Sequence, residues 1–293
     1  MPIATLIAAE SIVGDDIDAA ADRLRDAGLS VSGWDWIDEG RAADIMAGGT
    51  VPAIRAALAP LEERLDIVVQ PGGHRRKMLL VSDMDSTMIT VECIDELADY
   101  AGLKAEISAV TERAMRGELD FVEALRGRVK LLEGLEASAI DRCRAERVRI
   151  MPGARELVPT MRGWGAHCLL VSGGFHHFAD PVAAEIGFDR TVANRLAVER
   201  GQLTGEVTGA IVDSAVKARL LADSAADLGL DNAQTLAVGD GANDIPMIEA
   251  AGLGIAYHAK PKAAAAAGAA IRHNDLTTLL YAQGVPRAEW VRD

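Results

Sequence analysis

The 293-residue chain is poor in aromatic residues, at 4%. A sizeable core must therefore be built from Ala, Val, Leu and Ile. Cysteines number three, Cys93, Cys143 and Cys168, with no CxxC among them. That count and spacing argue against a disulfide framework and against a zinc ribbon. No run reaches the ~18 uninterrupted apolar residues of a membrane-spanning helix. Residues 1–20 carry acids and no basic segment ahead of an apolar stretch, so no signal peptide is expected. A reducing cytoplasm is the expected location, with no membrane partner. Basic stripes are missing too, and the net charge is −14, which argues against nucleic acid as a partner. The acidity also means that any phosphate site must supply positive charge locally. No GxxxxGK[ST] occurs, so a P-loop nucleotide hydrolase is not indicated.

What is present is globular: 49% apolar and 25% charged residues, in a length that fits roughly two domains of about 150 residues. The first unit, residues 1–72, reads βαββαβ. Strands are expected at 4–9, 31–37, 43–48 and 66–70, and helices at 15–29 and 51–65, the latter with Pro60 as a kink. That order suggests a small ferredoxin-like α+β sandwich. Pro71-Gly72-Gly73 punctuates the chain. From residue 77 to 293 strands and helices alternate, the pattern of a doubly wound, Rossmann-like parallel α/β domain. Its strongest strands are MLLVSD (78–83), HCLLVS (167–172) and TLAVGD (235–240). Residues 90–150 read as successive helices, a helical cap inserted over the site. Residues 190–213 read as a hairpin turning at Arg200-Gly201, and 259–271 as an Ala-rich helix.

Ligands in open α/β sheets bind beyond the carboxyl ends of the strands. Three apolar strands here end in Asp83, Ser172 and Asp240, so these residues should converge. Asp83 and Asp85, in DMDST, point the same way along an extended chain. Two close carboxylates repel, which suits one as an ionised nucleophile and the other as a protonated general acid. Asp240 and Asp244, in GDGAND, complete an oxygen-only cluster without His or Cys, a donor set that favours Mg²⁺ over zinc. In VSGGF, Ser172 and the glycines offer a hydroxyl and backbone N–H groups to an anion. Each motif alone reads equally well as a helix cap or a turn, and Lys217 alone as a solvated lysine. Together they form a kit for phosphoryl transfer.

DMDST, VSGGF, Lys217 and GDGAND resemble the four ordered motifs of the haloacid dehalogenase (HAD) superfamily, and DMDST followed by ITVECIDELA resembles its phosphoserine phosphatases. The resemblance covers residues 78–293. It implies Asp83 as the nucleophile that forms an aspartyl-phosphate, and Asp85 as general acid and then base. It implies Mg²⁺ on Asp83, the Asp85 backbone carbonyl and Asp240, with Asp244 in support. Ser172, Gly173 and Lys217 would bind the phosphoryl group, and Asn243 would order the site. In the cap, Glu92 would meet a substrate ammonium and Arg128 its carboxylate, with Phe121 and Met115 as a lid. The implied reaction is hydrolysis of O-phospho-L-serine, the last step of serine biosynthesis. Phosphothreonine, phosphohomoserine or a phosphotransfer remain alternatives. The front unit resembles the ACT-like domains of some family members; sensing of an amino acid, homodimerisation and a structural role all stay open for it.

Overall fold

Alternating apolar residues in the first 71 positions give each strand one face for its own helices and one for the rest of the protein. The computed structural model describes residues 1–291, so the last two residues of the expected 77–293 domain lie outside it. The elements of the first unit are β1 (Pro2–Ala8), α1 (Gly14–Asp26), β2 (Val31–Asp38), β3 (Ala42–Ala47), α2 (Val51–Leu58) and β4 (Leu65–Pro71). The sheet is antiparallel, in the order β2-β3-β1-β4, which is the ferredoxin-like arrangement. Leu6, Ile45 and Ile67 pack with Ile17, Leu24, Ile54 and Leu58 of the two helices. Ile7, Ala42 and Val68 on the opposite face join the core of the second unit. The helix expected over 51–65 stops at Leu58, and Ala59–Leu61 form a 3₁₀ turn. Pro60 explains the correction: it has no N–H for the next helical bond and its ring crowds the preceding turn.

The second unit contains β5 (Leu79–Ser82), α3 (Cys93–Asp99), α4 (Lys104–Met115), α5 (Phe121–Leu131), α6 (Ser138–Arg147), α7 (Ala154–Gly163), β6 (His167–Phe175), α8 (His176–Ile186), β7 (Arg190–Glu199), β8 (Gln202–Thr208), α9 (Ser214–Asp227), β9 (Thr235–Gly239), α10 (Ile245–Ala250), β10 (Leu253–Tyr257), α11 (Pro261–Ala266), β11 (Ala269–Ile271) and α12 (Thr278–Ala282). The strands lie in the order β11-β10-β9-β5-β6-β7-β8. All neighbours are parallel except β7 and β8. Buried on both faces, β5, β9 and β10 are nearly all apolar, as is usual in parallel sheets. The β7–β8 hairpin turns at Arg200 (φ 50°) and Gly201 (φ 81°), left-handed conformations that suit a two-residue turn. The helix expected over 259–271 is corrected as well. Only Pro261–Ala266 is helical, Ala267 is extended, and Ala269–Ile271 become β11 on the open edge of β10. Pairing with that edge, and burial of Ile271, override the helix propensity of alanine.

Helices α3 to α6 form the insertion between β5 and α7. An isolated antiparallel bridge between Ile89 and Ile150 closes its base. The two units are joined by buried polar contacts. Asp66 of β4 accepts from the backbone N–H groups of Arg272 (2.7 Å) and Asn274 (3.0 Å). Gln70 Nε2 donates to the Ala282 carbonyl at 2.6 Å, and Arg75 links Asp44 and Thr5 to the same carbonyl. Lys77 N donates to Gln283 Oε1 at 2.9 Å. No helix among the described residues is long and apolar enough to cross a membrane.

Candidate active site

Strand β5 lies between β9 and β6, so the residues that follow these three strands emerge side by side. Asp83 N donates to the Val238 carbonyl at 3.0 Å, which extends the β5–β9 ladder by one residue. Asp83, Asp240 and Asp244 are buried, and each offers a carboxylate oxygen within 4.8 Å of the others. Fully buried Lys217 sits against them, its Nζ 2.7 Å from Asp83 Oδ1 and 2.7 Å from Asp244 Oδ1. Asp244 also accepts from the N–H groups of Asp240 (3.2 Å) and Gly241 (3.1 Å), and this folds the GDGAND loop around it. Thr87 Oγ1 donates to Asp240 at 3.3 Å. Three carboxylates against one ammonium leave the cluster short of positive charge, so the donor set fits a hard divalent cation.

The electrostatics follow from burial. Desolvation first, and the nearby Asp244 second, push the Asp83 carboxyl up to about 7, with Lys217 pulling the other way. Asp85 is raised well above the usual carboxylate range by burial and then by Glu92 and Asp83. Asp240 is raised likewise, by burial and the same kind of neighbours. Burial opposes the charge on Lys217, yet the Asp244 and Asp83 carboxylates outweigh it and raise its pKa. Burial and the neighbouring carboxylates thus favour the neutral form of Asp85, while the two carboxylates favour the charged form of Lys217.

A cavity opens beside the cluster, lined in part by Asp83. Its lining brings together Asp83, Asp85, Glu92, Met115, Phe121, Arg128, Ser172, Gly173 and Asn243. Lys217, Asp240 and Asp244 lie outside that lining, packed behind Asp83. Ser172 Oγ accepts from Gly174 N at 2.8 Å and so curls the VSGGF turn. A Cβ on Gly173 would lie 2.7 Å from the Phe121 ring, and one on Gly174 would lie 2.7 Å from Asp85 Oδ2. Only glycine lets the turn approach both the cap and the carboxylate so closely. Asn194 Nδ2 donates to the Gly173 carbonyl at 2.8 Å and anchors the turn from β7.

Glu92 stands at the N-cap position of α3 but makes no side-chain cap; its Oε1 accepts from Ser86 Oγ at 2.7 Å. Ser86 holds a left-handed φ of 55°, strain at the turn that directs its hydroxyl to Glu92. Arg128 is 6% exposed, unlike its neighbour Arg126 on the same helix. Asn243 Oδ1 is a buried acceptor with no hydrogen-bond partner among the described residues. Sequence reasoning missed Ser86, Thr87 and Asn194. The first two were signalled by their place inside DMDST, and Asn194 by nothing in the sequence.

Fold and site together define a haloacid dehalogenase-like hydrolase, and the sequence profile of that family matches residues 80–249. The chain is 46% identical over 245 residues to phosphoserine phosphatase SerB2 of Mycobacterium tuberculosis, covering 82% of this chain and 60% of that protein. Among solved structures, a phospho-aspartyl intermediate analogue of phosphoserine phosphatase is 38% identical with a TM-score of 0.68, covering 70% of this chain and 98% of that one. A probable phosphoserine phosphatase from Vibrio cholerae, unliganded, is 32% identical with a TM-score of 0.74, covering 98% of this chain and 88% of that one. The chain belongs to the phosphoserine phosphatase family of these hydrolases. It spans about three fifths of the length of the first curated relatives it matches. HAD phosphatases are in general metal-dependent, and the Asp83, Asp240 and Asp244 cluster is consistent with that.

Proposed function

We propose that this chain hydrolyses O-phospho-L-serine to L-serine and phosphate in the presence of Mg²⁺. The observation that carries the reading is the meeting, in one cavity, of the Asp83–Asp85 pair with an acid and an arginine from the cap, Glu92 and Arg128. An α-amino acid bearing a phosphate needs that set: a carboxylate for its ammonium, a planar guanidinium fork for its carboxylate, and a nucleophile for its phosphorus. Mg²⁺, held by the Asp83 and Asp240 carboxylates with the Asp85 carbonyl, would neutralise charge on the phosphoryl oxygens. Asp244 fits a supporting role, since its oxygens are taken by Lys217 and two backbone N–H groups.

In the first step an Asp83 carboxylate oxygen attacks phosphorus while the bond from phosphorus to the serine oxygen breaks. Asp85, whose pKa burial and the nearby carboxylates raise, passes its proton to the departing alkoxide. Ser172 and Gly173 offer a hydroxyl and an N–H to the phosphoryl oxygens, and Lys217 holds Asp83 in place from behind. In the second step Asp85 takes a proton from water as that water attacks the aspartyl-phosphate, freeing phosphate and restoring Asp83. Phe121 and Met115 cover the cavity from the cap and exclude bulk water. Such a role places the chain at the end of serine biosynthesis, in a cytoplasm where its three buried thiols stay reduced.

The test is steady-state kinetics on phosphoserine, phosphothreonine and other small phosphate esters, with and without Mg²⁺, for the wild type and Asp83→Asn. Phosphoserine should be the preferred ester, and Asp83→Asn should lose turnover and phosphoenzyme while keeping its circular dichroism. Wild-type turnover by the variant would refute the mechanism.

A further inference from the structure

Arg128 is held by a relay that no motif contains. Three buried polar residues from three cap helices meet: Asp95 of α3, 9% exposed, Thr111 of α4, 3%, and Arg128 of α5, 6%. Thr111 Oγ1 lies 2.5 Å from Asp95 Oδ1, and Arg128 Nη1 lies 2.8 Å from Thr111 Oγ1. A guanidinium only donates, so the hydroxyl must turn a lone pair to Arg128 and send its single proton elsewhere. Two acceptors compete for that proton, Asp95 and the Ile107 carbonyl at 3.1 Å. The shorter, charged contact wins. The polarity of the chain is then fixed, from Arg128 through Thr111 to Asp95. On its other edge Arg128 Nε donates to the Ala124 carbonyl at 3.1 Å. Two anchors from two helices thus set the plane of the guanidinium.

The hydroxyl also keeps two charges apart. Asp95, Glu92 and Asp85 all act electrostatically on Arg128, yet among the described residues none forms a direct ion pair with it. A direct pair with Asp95 would consume the fork; a hydroxyl between them orients it, and Nη2 of this cavity-lining arginine has no hydrogen-bond partner among the described residues. Thr111 and Asp95 do not line that cavity themselves. We propose that Thr111 and Asp95 are positioning residues that aim Arg128, and so set the preference of the site for a phosphomonoester that carries a carboxylate. This rests on Arg128 as the carboxylate clamp of the proposed reaction.

The experiment compares wild type, Thr111→Val, Thr111→Ser and Asp95→Asn in the full chain. It reads kcat and KM for phosphoserine, and Ki for O-phosphoethanolamine, which keeps the phosphate and ammonium and lacks the carboxylate. Thr111→Val should raise KM for phosphoserine about tenfold, the scale of one lost hydrogen bond to a charged group. Its kcat and its Ki for phosphoethanolamine should move less than about twofold, because Arg128 meets only the carboxylate. Thr111→Ser, which restores the hydroxyl, should recover KM. A parallel shift of KM and Ki, or no recovery in Thr111→Ser, would overturn the relay while leaving the proposed reaction standing. If Thr111→Val does not fold, Asp95→Asn supplies the same readout: a rise in KM alone supports the relay, and a parallel shift overturns it. Equal affinity of the wild type for the two compounds would remove the clamp, and the relay with it.

Discussion

Replacing Lys217 with Met keeps most of the aliphatic stem and deletes one charge from the most buried part of the site. The ammonium is wholly buried and lies 2.7 Å from two carboxylates. Without it, Asp83, Asp240 and Asp244 have no ion-pair partner among the described residues. Breaking a buried ion pair costs about 3–5 kcal/mol, because the remaining charge is left desolvated. The two pairs share one lysine and are not independent, so the cost should not double. Urea unfolding in metal-free buffer should therefore show a loss of about 4 kcal/mol near neutral pH. The loss should also depend on pH. In the folded wild type the Asp83 carboxyl is pushed up to about 7, so between about pH 4 and 7 the folded chain holds a proton there that the unfolded chain has released. Stability from this group thus falls as pH rises through that window. Removing Lys217 lifts the folded Asp83 carboxyl further, so the window reaches higher and the deficit against wild type should be small near pH 5 and largest near pH 8. Excess Mg²⁺ should recover part of the deficit, since a cation that binds only the folded state stabilises it. A loss below about 1 kcal/mol with no pH dependence would refute the account of Lys217 as the charge that makes the cluster tolerable.

Other outcomes follow from close contacts in the same region. Gly174→Ala places a Cβ 2.7 Å from Asp85 Oδ2 and 3.0 Å from Ser172 Oγ, and should lower kcat about a hundredfold, since misplacing a reacting group by about 1 Å costs that much; a wild-type kcat in a folded variant would show that Asp85 tolerates displacement. The thiols should be inert in the native protein. Burial pushes the Cys143 thiol up to about 11 and the Cys93 and Cys168 thiols up as well, so a chromogenic disulfide reagent should label all three only in urea. Fast labelling of the folded chain would contradict that.

The parallel sheet was readable because its central strands are apolar on both faces and end in polar turns; β5, β6 and β9 stand out for that reason alone. The residues at their ends, Asp83, Ser172 and Asp240, could be expected to meet on topology before any contact was known. Strand β11 was unreadable because three residues, two of them alanine, carry no period, and their strand state comes from pairing with β10. The end of α2 turns on one proline, Pro60, which in sequence is compatible with a kink as well as with a stop. Arg128 and Arg126 look alike in sequence, and only the packing of α3, α4 and α5 separates the buried one from the exposed one. Thr111 and Asp95 were equally silent, since a polar residue on a helix is ordinarily solvated.

The buried polar contacts between the two units have a mechanical meaning. Asp66, Gln70 and Arg75 grip backbone groups of residues 272–274 and 281–282. Lys77 is gripped in turn, through Gln283, the Ala233 carbonyl and the Trp164 indole. The stretch between β4 and β5 is therefore a seam rather than a hinge. A chain cut at the seam would bare Ile7, Ala42 and Val68 on one side and orphan the amides of Arg272 and Asn274 on the other. The small sheet is thus fastened to β11 and α12 by hydrogen bonds and by a shared apolar core, not merely tied to them by the chain between β4 and β5.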